Sequence, residues 1–130
     1  MTTLPALQEI DAETQIFTPV WVAKYLAQNS IGRLWINSRP EGRLIDQLGW
    51  YVDSVNPAGL ARVESPEEIR VIDPACGTGN LLVAAFDVLY AIYLDARYKP
   101  AMIPGLILTK NLVGRDIDSA AAEAASAILT

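Results

Sequence analysis

Ile69-Arg70-Val71-Ile72-Asp73-Pro74-Ala75-Cys76-Gly77-Thr78-Gly79-Asn80 is the stretch whose reading decides the fold. Its first four residues are mostly β-branched, which suits a strand, and Asp73-Pro74 punctuates the end of that strand. The run is therefore expected to be a buried strand ending at Asp73. Gly77-Thr78-Gly79 reads as a tight turn, because glycine enters backbone conformations that other residues avoid. Leu81, Ala85, Val88 and Ile92 then recur at steps of four, three and four. That spacing lines one face of a helix and predicts a helix of about 18 residues.

Downstream, Lys99 to Gly105 interrupts the pattern and Leu106 to Lys110 reads as a single helical turn. Leu112-Val113-Gly114-Arg115 reads as a second strand ending at Asp116, and Asp118 or Ser119 caps an alanine-rich helix that follows. The order strand, helix, strand, helix implies parallel strands joined by a right-handed crossover. Upstream, Thr18 is placed to cap a helix with Pro19 in its first turn. Trp21, Val22, Tyr25 and Leu26 continue that helix to about Asn29, and Ile31, Leu34 and Trp35 form a second apolar piece. The first dozen residues are a polar lead-in. Residues 37–68 are rich in Pro, Gly and charge, and are expected to be irregular with one short element near Leu44 to Val52.

A length of 130 residues suits one small domain, and 52% hydrophobic residues can build its core. The net charge of -5 speaks against a basic face that would grip a nucleic-acid backbone. One cysteine and no histidine exclude a disulfide framework, Cys/His zinc sites and imidazole catalysis within these residues. Met1 to Thr14 lacks the basic-then-apolar pattern of a signal peptide. Leu81 to Leu94 is short and interrupted by Asp87, so it reads as a core helix and not a membrane span. A soluble cytoplasmic protein is expected, with no membrane partner.

Chemistry concentrates in Asp73 to Asn80. Open α/β sheets bind ligands outside the carboxyl ends of their strands, where loops lead into helices. Two glycines two apart let the backbone approach a ligand, and Asp73 at the strand tip can accept hydrogen bonds from a ligand amine. A dinucleotide fingerprint is not present, since its third glycine would fall at Leu82. Asp116, at the tip of the next strand, is placed to take both hydroxyls of a ribose, or else to cap the helix after it. Two strand-tip carboxylates around a glycine turn suit a ligand with an amine at one end and a ribose at the other. S-adenosylmethionine has that shape, with a positive sulfonium between.

At these residues the chain resembles the amino-type DNA methyltransferases. Asp73-Pro74-Ala75-Cys76-Gly77-Thr78-Gly79 is similar to their first cofactor motif, and Asp116-Ile117-Asp118 to their second. Gln15-Ile16-Phe17-Thr18-Pro19 resembles the cofactor motif that precedes both in the gamma-arranged adenine-N6 enzymes, where the threonine helps hold the methionine carboxylate. Asn29-Ser30-Ile31-Gly32-Arg33-Leu34-Trp35, Ala85 to Tyr90 and Ile103-Pro104 to Asn111-Leu112 resemble the phage-exclusion (BREX-type) methyltransferases, relatives of the large single-chain restriction–modification enzymes.

The resemblance implies an α/β fold. Residues 69–130 would be the first half of a Rossmann-like (class I) methyltransferase domain, and residues 1–68 an N-terminal helical and irregular segment. It further implies S-adenosylmethionine as cofactor, held by Phe17, Thr18, Pro19, Asp73, Pro74, Ala75, Cys76, Gly77, Gly79, Asp116 and Ile117. Those enzymes catalyse with an Asn/Asp-Pro-Pro-aromatic motif after the second cofactor motif, and the chain ends before that position. Asn56-Pro57-Ala58-Gly59 lacks the second proline and the aromatic residue, lies on the wrong side of the glycine loop, and reads as a turn.

Catalytic residues are therefore not expected in this chain. DNA would be contacted through a missing part of a parent protein, with a second chain or other defence-system subunits as further partners. The alternatives are a truncated or split accessory piece and a methyltransferase with a non-DNA substrate. The chain alone is expected to bind the cofactor weakly or not at all. Cys76 reads as a small buried loop residue, and Trp21, Trp35 and Trp50 as core aromatics and not base-stacking platforms.

Overall fold

The computed structural model describes residues 17–53, 59, 61–115 and 119–129. Its first element, α1 (Val20–Ala27), passes through a π-helical turn at Gln28–Gly32 into α2 (Arg33–Ser38). Pro19 is the N-cap, with extended dihedrals (φ -56, ψ 146), and no side chain caps the helix. The expected Thr18 cap is therefore not formed; the Pro19 carbonyl accepts the Ala23 amide and starts the helix instead. Nor does the helix stop at Asn29. The wide turn leaves backbone carbonyls for side chains to serve, and the Asn29 amide and Ser30 hydroxyl donate to the carbonyls of Tyr25 and Leu26.

Asn29 also reaches outward. Its amide donates to the Trp50 carbonyl and its oxygen accepts the Val52 amide, each within 2.9 Å. Gln28 accepts the Trp50 amide at 2.7 Å, and Arg33 donates to the Val52 carbonyl at 2.8 Å. Side chains thus do for residues 50–52 what a neighbouring strand would do, so the polar π turn fixes this extended segment. Between α2 and that segment lies a 3₁₀ turn at Leu44–Gln47, inside the stretch expected to hold one short element.

Strand β1 (Val71–Asp73) and strand β2 (Leu112–Gly114) pair in parallel, with Val71 opposite Leu112, Ile72 opposite Val113 and Asp73 opposite Gly114. Helix α3 (Asn80–Asp95) makes the crossover. Both strands are shorter than expected, and Ile69, expected inside the first, is buried just ahead of it. The expectation that the first strand is buried needs correction. Val71 and Leu112 pack against the core, but the facing pair Ile72 and Val113 is 67% and 49% exposed. Among the described residues, helices cover one side of this sheet.

The core runs through both halves of the sequence. Helix α1 packs along α3, and Ala23 and Ala27 share one cluster with Ala84, Ala85, Val88, Leu89 and Ile92. Small residues let the two helices approach closely. Trp35 closes the cluster, its indole N–H donating to Asp95 Oδ2 at 2.8 Å, while Asp95 Oδ1 accepts the Arg43 amide.

Helix α3 ends with Arg97 in the left-handed conformation (φ 69). The Tyr98 amide reaches back to the Tyr93 carbonyl and the Arg97 amide to that of Leu94. This is a Schellman ending, completed by the edge-to-face contact of Tyr93 and Tyr98, whose ring centroids lie 5.0 Å apart. A 3₁₀ turn at Pro100–Met102 leads into α4 (Ile103–Leu106) and a π-helical turn at Ile107–Asn111. Helical structure therefore begins earlier than the proline and glycine at 104 and 105 suggested. Pro104 sits in the first turn of α4, where its missing N–H breaks no hydrogen bond.

Asn111 is buried and fully engaged. Its amide donates to the carbonyls of Pro66 and Ile69, and its oxygen accepts the Tyr93 hydroxyl, all within 2.9 Å. One carboxamide thus ties the entry of β1 to the entry of β2. Helix α5 (Ser119–Leu129) follows, with Leu129 packed against Leu82 and Cys76. Among the described residues no helix is long and apolar enough to cross a membrane.

Candidate ligand-binding cleft

The two strand ends remain tied together past the sheet. The Arg115 amide donates to the Asp73 carbonyl at 2.8 Å, and the Cys76 amide donates to the Arg115 carbonyl at 2.9 Å. The loop after Asp73 therefore leaves the sheet beside the end of β2. Asp73 shapes its own loop, with Oδ1 accepting the Ala75 amide at 3.1 Å. Such an Asx turn is a common use of a short carboxylate two residues ahead of an amide.

The glycines set the rest of the turn. Gly77 (φ 53) and Gly79 (φ 92) both sit where side chains are disfavoured, and Gly79 is the N-cap from which α3 starts. The bare position at Gly77 does not face open space. A Cβ there would lie 2.7 Å from Phe17 Cδ1, so the Phe17 ring packs directly on the glycine loop. Sequence reasoning assigned that glycine to close approach by a ligand; within the chain it permits close approach by Phe17.

Thr18 is joined to the same loop. Asn80, the first residue of α3, donates its side-chain amide to the Thr18 carbonyl at 3.0 Å. Two segments far apart in sequence thus form one open cleft. Phe17 and Thr18 line it from one side, and Asp73, Ala75, Cys76, Gly77, Thr78, Asn80 and Leu81 from the other.

Of the residues expected to hold a cofactor, Phe17, Thr18, Asp73, Ala75, Cys76 and Gly77 meet at this cleft. Pro19, Pro74 and Gly79 form the neighbouring backbone: the cap of α1, the exposed bend after β1 and the cap of α3. Asp116 and Ile117 lie outside the described residues, as do Gln15, Ile16, Asp118 and Asn56-Pro57-Ala58. Thr78, Asn80 and Leu81 were missed. Asn80 had a legible signal, a short amide side chain at the first helical position after a glycine turn, where polar side chains find backbone partners.

Cys76 is buried and packs with Leu82, in keeping with a small loop residue. Trp35 is core, whereas Trp21 and Trp50 are not: they are 58% and 46% exposed, with ring centroids 6.3 Å apart. Among the described cleft residues Asp73 is the one charged side chain. Such a lining favours a ligand carrying positive charge over a phosphate, which would want cations or several open amides. Among the described residues no cluster of His, Cys, Asp and Glu could hold a metal ion.

The chain is homologous to adenine-specific methyltransferases. It is 40% identical over 129 residues to the adenine-specific methyltransferase BrxX of Escherichia coli O9:H4 (strain HS), a match covering 89% of this chain and 10% of that protein. It is 35% identical over 124 residues to the adenine-specific methyltransferase PglX of Lacticaseibacillus casei (strain Zhang), covering 85% of this chain and 10% of that protein. The chain thus spans about a tenth of the length of the curated relatives it matches. No family model matches it.

Proposed function

We propose that this chain is the S-adenosylmethionine-binding portion of a DNA adenine-N6 methyltransferase from a phage-defence or restriction–modification system. The observation that carries the reading is the cleft itself, in which Phe17-Thr18 and the Asp73 to Gly79 loop meet beside two parallel strand ends. A single carboxylate, bare backbone and no cationic side chain suit the α-amine and sulfonium of that cofactor. Bound there, S-adenosylmethionine would supply a methyl group activated by its positive sulfur.

In this reading Asp73 accepts a hydrogen bond from the ligand amine through the oxygen not engaged by Ala75. Thr18 and the loop backbone face the methionine carboxylate. Asp116, next after Arg115, takes the ribose hydroxyls. The exposed Ile72–Val113 face would be covered by a second helix layer of a Rossmann-like sheet, since parallel sheets are buried on both faces. Groups that orient the adenine amine belong to an Asn-Pro-Pro-aromatic motif elsewhere in the parent protein, as does the surface that contacts DNA.

A purified full-length protein containing this chain, supplied with S-adenosylmethionine and duplex DNA, is expected to produce N6-methyladenine. Asp73→Asn, which keeps an oxygen for the Ala75 amide but removes the charge, is expected to reduce that product sharply. A full-length protein that leaves adenine unmodified while methylating another substrate overturns the proposal.

A further inference from the structure

We infer that Asn80 is a positioning residue for this cleft: its side-chain amide latches the Phe17-Thr18-Pro19 segment onto the first turn of α3, setting the wall that meets the methionine end of the ligand. The inference rests on the proposed reading of the cleft as an S-adenosylmethionine site.

Four observations converge on it. The Asn80 amide and the Thr18 carbonyl meet at 3.0 Å across 62 positions of sequence. The Thr18 carbonyl lies ahead of the first helical bond of α1, which uses the Pro19 carbonyl, so it needs a donor from elsewhere. Pro19 has no N–H, so this peptide unit cannot be anchored through a donor of its own. Phe17, one residue earlier, reaches Gly77 only while that segment lies along the loop.

The residue type fits the task. A carboxamide is short enough to act from the first helical position and carries the N–H donors that the Thr18 carbonyl requires. Aspartate has the same shape and no donor. At a helix N-terminus a negative charge is also favourable, so Asn80→Asp breaks the latch without weakening α3. Asn80→Ala removes the latch without adding charge.

Two measurements on the wild type and both variants test the inference. The first needs no ligand: the nuclear Overhauser contact between the Phe17 ring and the Gly77 α-protons. It is expected in the wild type and lost in both variants, while the far-ultraviolet helical signal of Asn80→Asp stays at the wild-type level. Its retention in the variants overturns the inference.

The second, made on the full-length protein and its variants, compares S-adenosylhomocysteine with 5′-methylthioadenosine, which keeps the adenosine and sulfur but lacks the amino-acid end. Loss of one hydrogen bond's worth of positioning is expected to weaken S-adenosylhomocysteine about fivefold in Asn80→Ala. Binding of 5′-methylthioadenosine is expected to stay at the wild-type level. Equal weakening of both ligands, or of neither, overturns the latch while leaving the cofactor site in place. A full-length wild-type protein that binds neither ligand overturns the proposed function itself, and the latch's role with it.

Discussion

The ring of Phe17 occupies the space that any side chain at residue 77 would need, with Phe17 Cδ1 2.7 Å from where a Cβ on Gly77 would stand. This contact links the segment before α1 to the loop after β1. It predicts that Gly77→Ala is costly twice over. The backbone there is left-handed (φ 53), which costs a residue with a Cβ about 1–2 kcal/mol, and the new methyl group displaces the ring. Unfolding free energy should fall by at least that amount and chymotrypsin should cut after Phe17 faster. An unchanged melting curve with Phe17 still protected would contradict this packing.

Asp95 serves two donors from opposite sides, the Trp35 indole at 2.8 Å and the Arg43 amide at 3.2 Å. Asp95→Ala leaves a buried indole N–H without an acceptor, an expected loss of about 1–3 kcal/mol by chemical denaturation. Asp95→Asn retains one acceptor oxygen and should lose clearly less. Equal losses in the two variants would show that the carboxylate acts through charge and not through acceptance.

Arg97 closes α3 in a conformation that suits glycine (φ 69). Arg97→Gly should therefore stabilise the chain by about 1 kcal/mol, because the Schellman ending survives and the strain of the Cβ disappears. The Tyr93–Tyr98 contact beneath it does not involve the Arg97 side chain. A lower melting temperature in this variant would mean that the arginine makes a stabilising contact of its own.

Burial pushes the Tyr93 hydroxyl up to about 12 from its ordinary 10.0, with the Glu67 carboxylate adding to the effect. Tyr98 is raised too, through its hydrogen bond to Glu67. Between the two Tyr93 values the unfolded chain gives up the proton and the folded chain keeps it. The stabilisation is therefore whole below pH 10.0 and is lost as pH rises toward about 12. Tyrosinate absorbance should show Tyr93 titrating late and together with unfolding. Tyr93→Phe should remove that late step and flatten the alkaline loss of stability. A Tyr93 that ionises at its ordinary pH in the folded chain would contradict this burial.

Much of this fold could be read along the chain because its strongest signals are local. The β-branched run into Asp73-Pro74, the Gly77-Thr78-Gly79 turn and the four-three-four spacing of α3 each depend on neighbouring residues. What could not be read depends on partners far away. The helix continues past Asn29 because its π turn is paid for by contacts to residues 50–52. Exposure of Ile72 and Val113 follows from which layers stand beside the sheet, and β-branched residues look the same whether one face or both are covered. The site was half legible. Motif likeness located Phe17-Thr18 and Asp73 to Gly79, but the Asn80 bond that joins them spans 62 positions and has no periodic signature.

The most direct test of the central claim is a map of backbone amide shifts as S-adenosylhomocysteine is added to the labelled chain. Weak, saturable shifts are expected that centre on Phe17-Thr18 and on Asp73 to Asn80, and that vanish in Asp73→Ala. Shifts that gather elsewhere, or that persist undiminished without the Asp73 carboxylate, would contradict it.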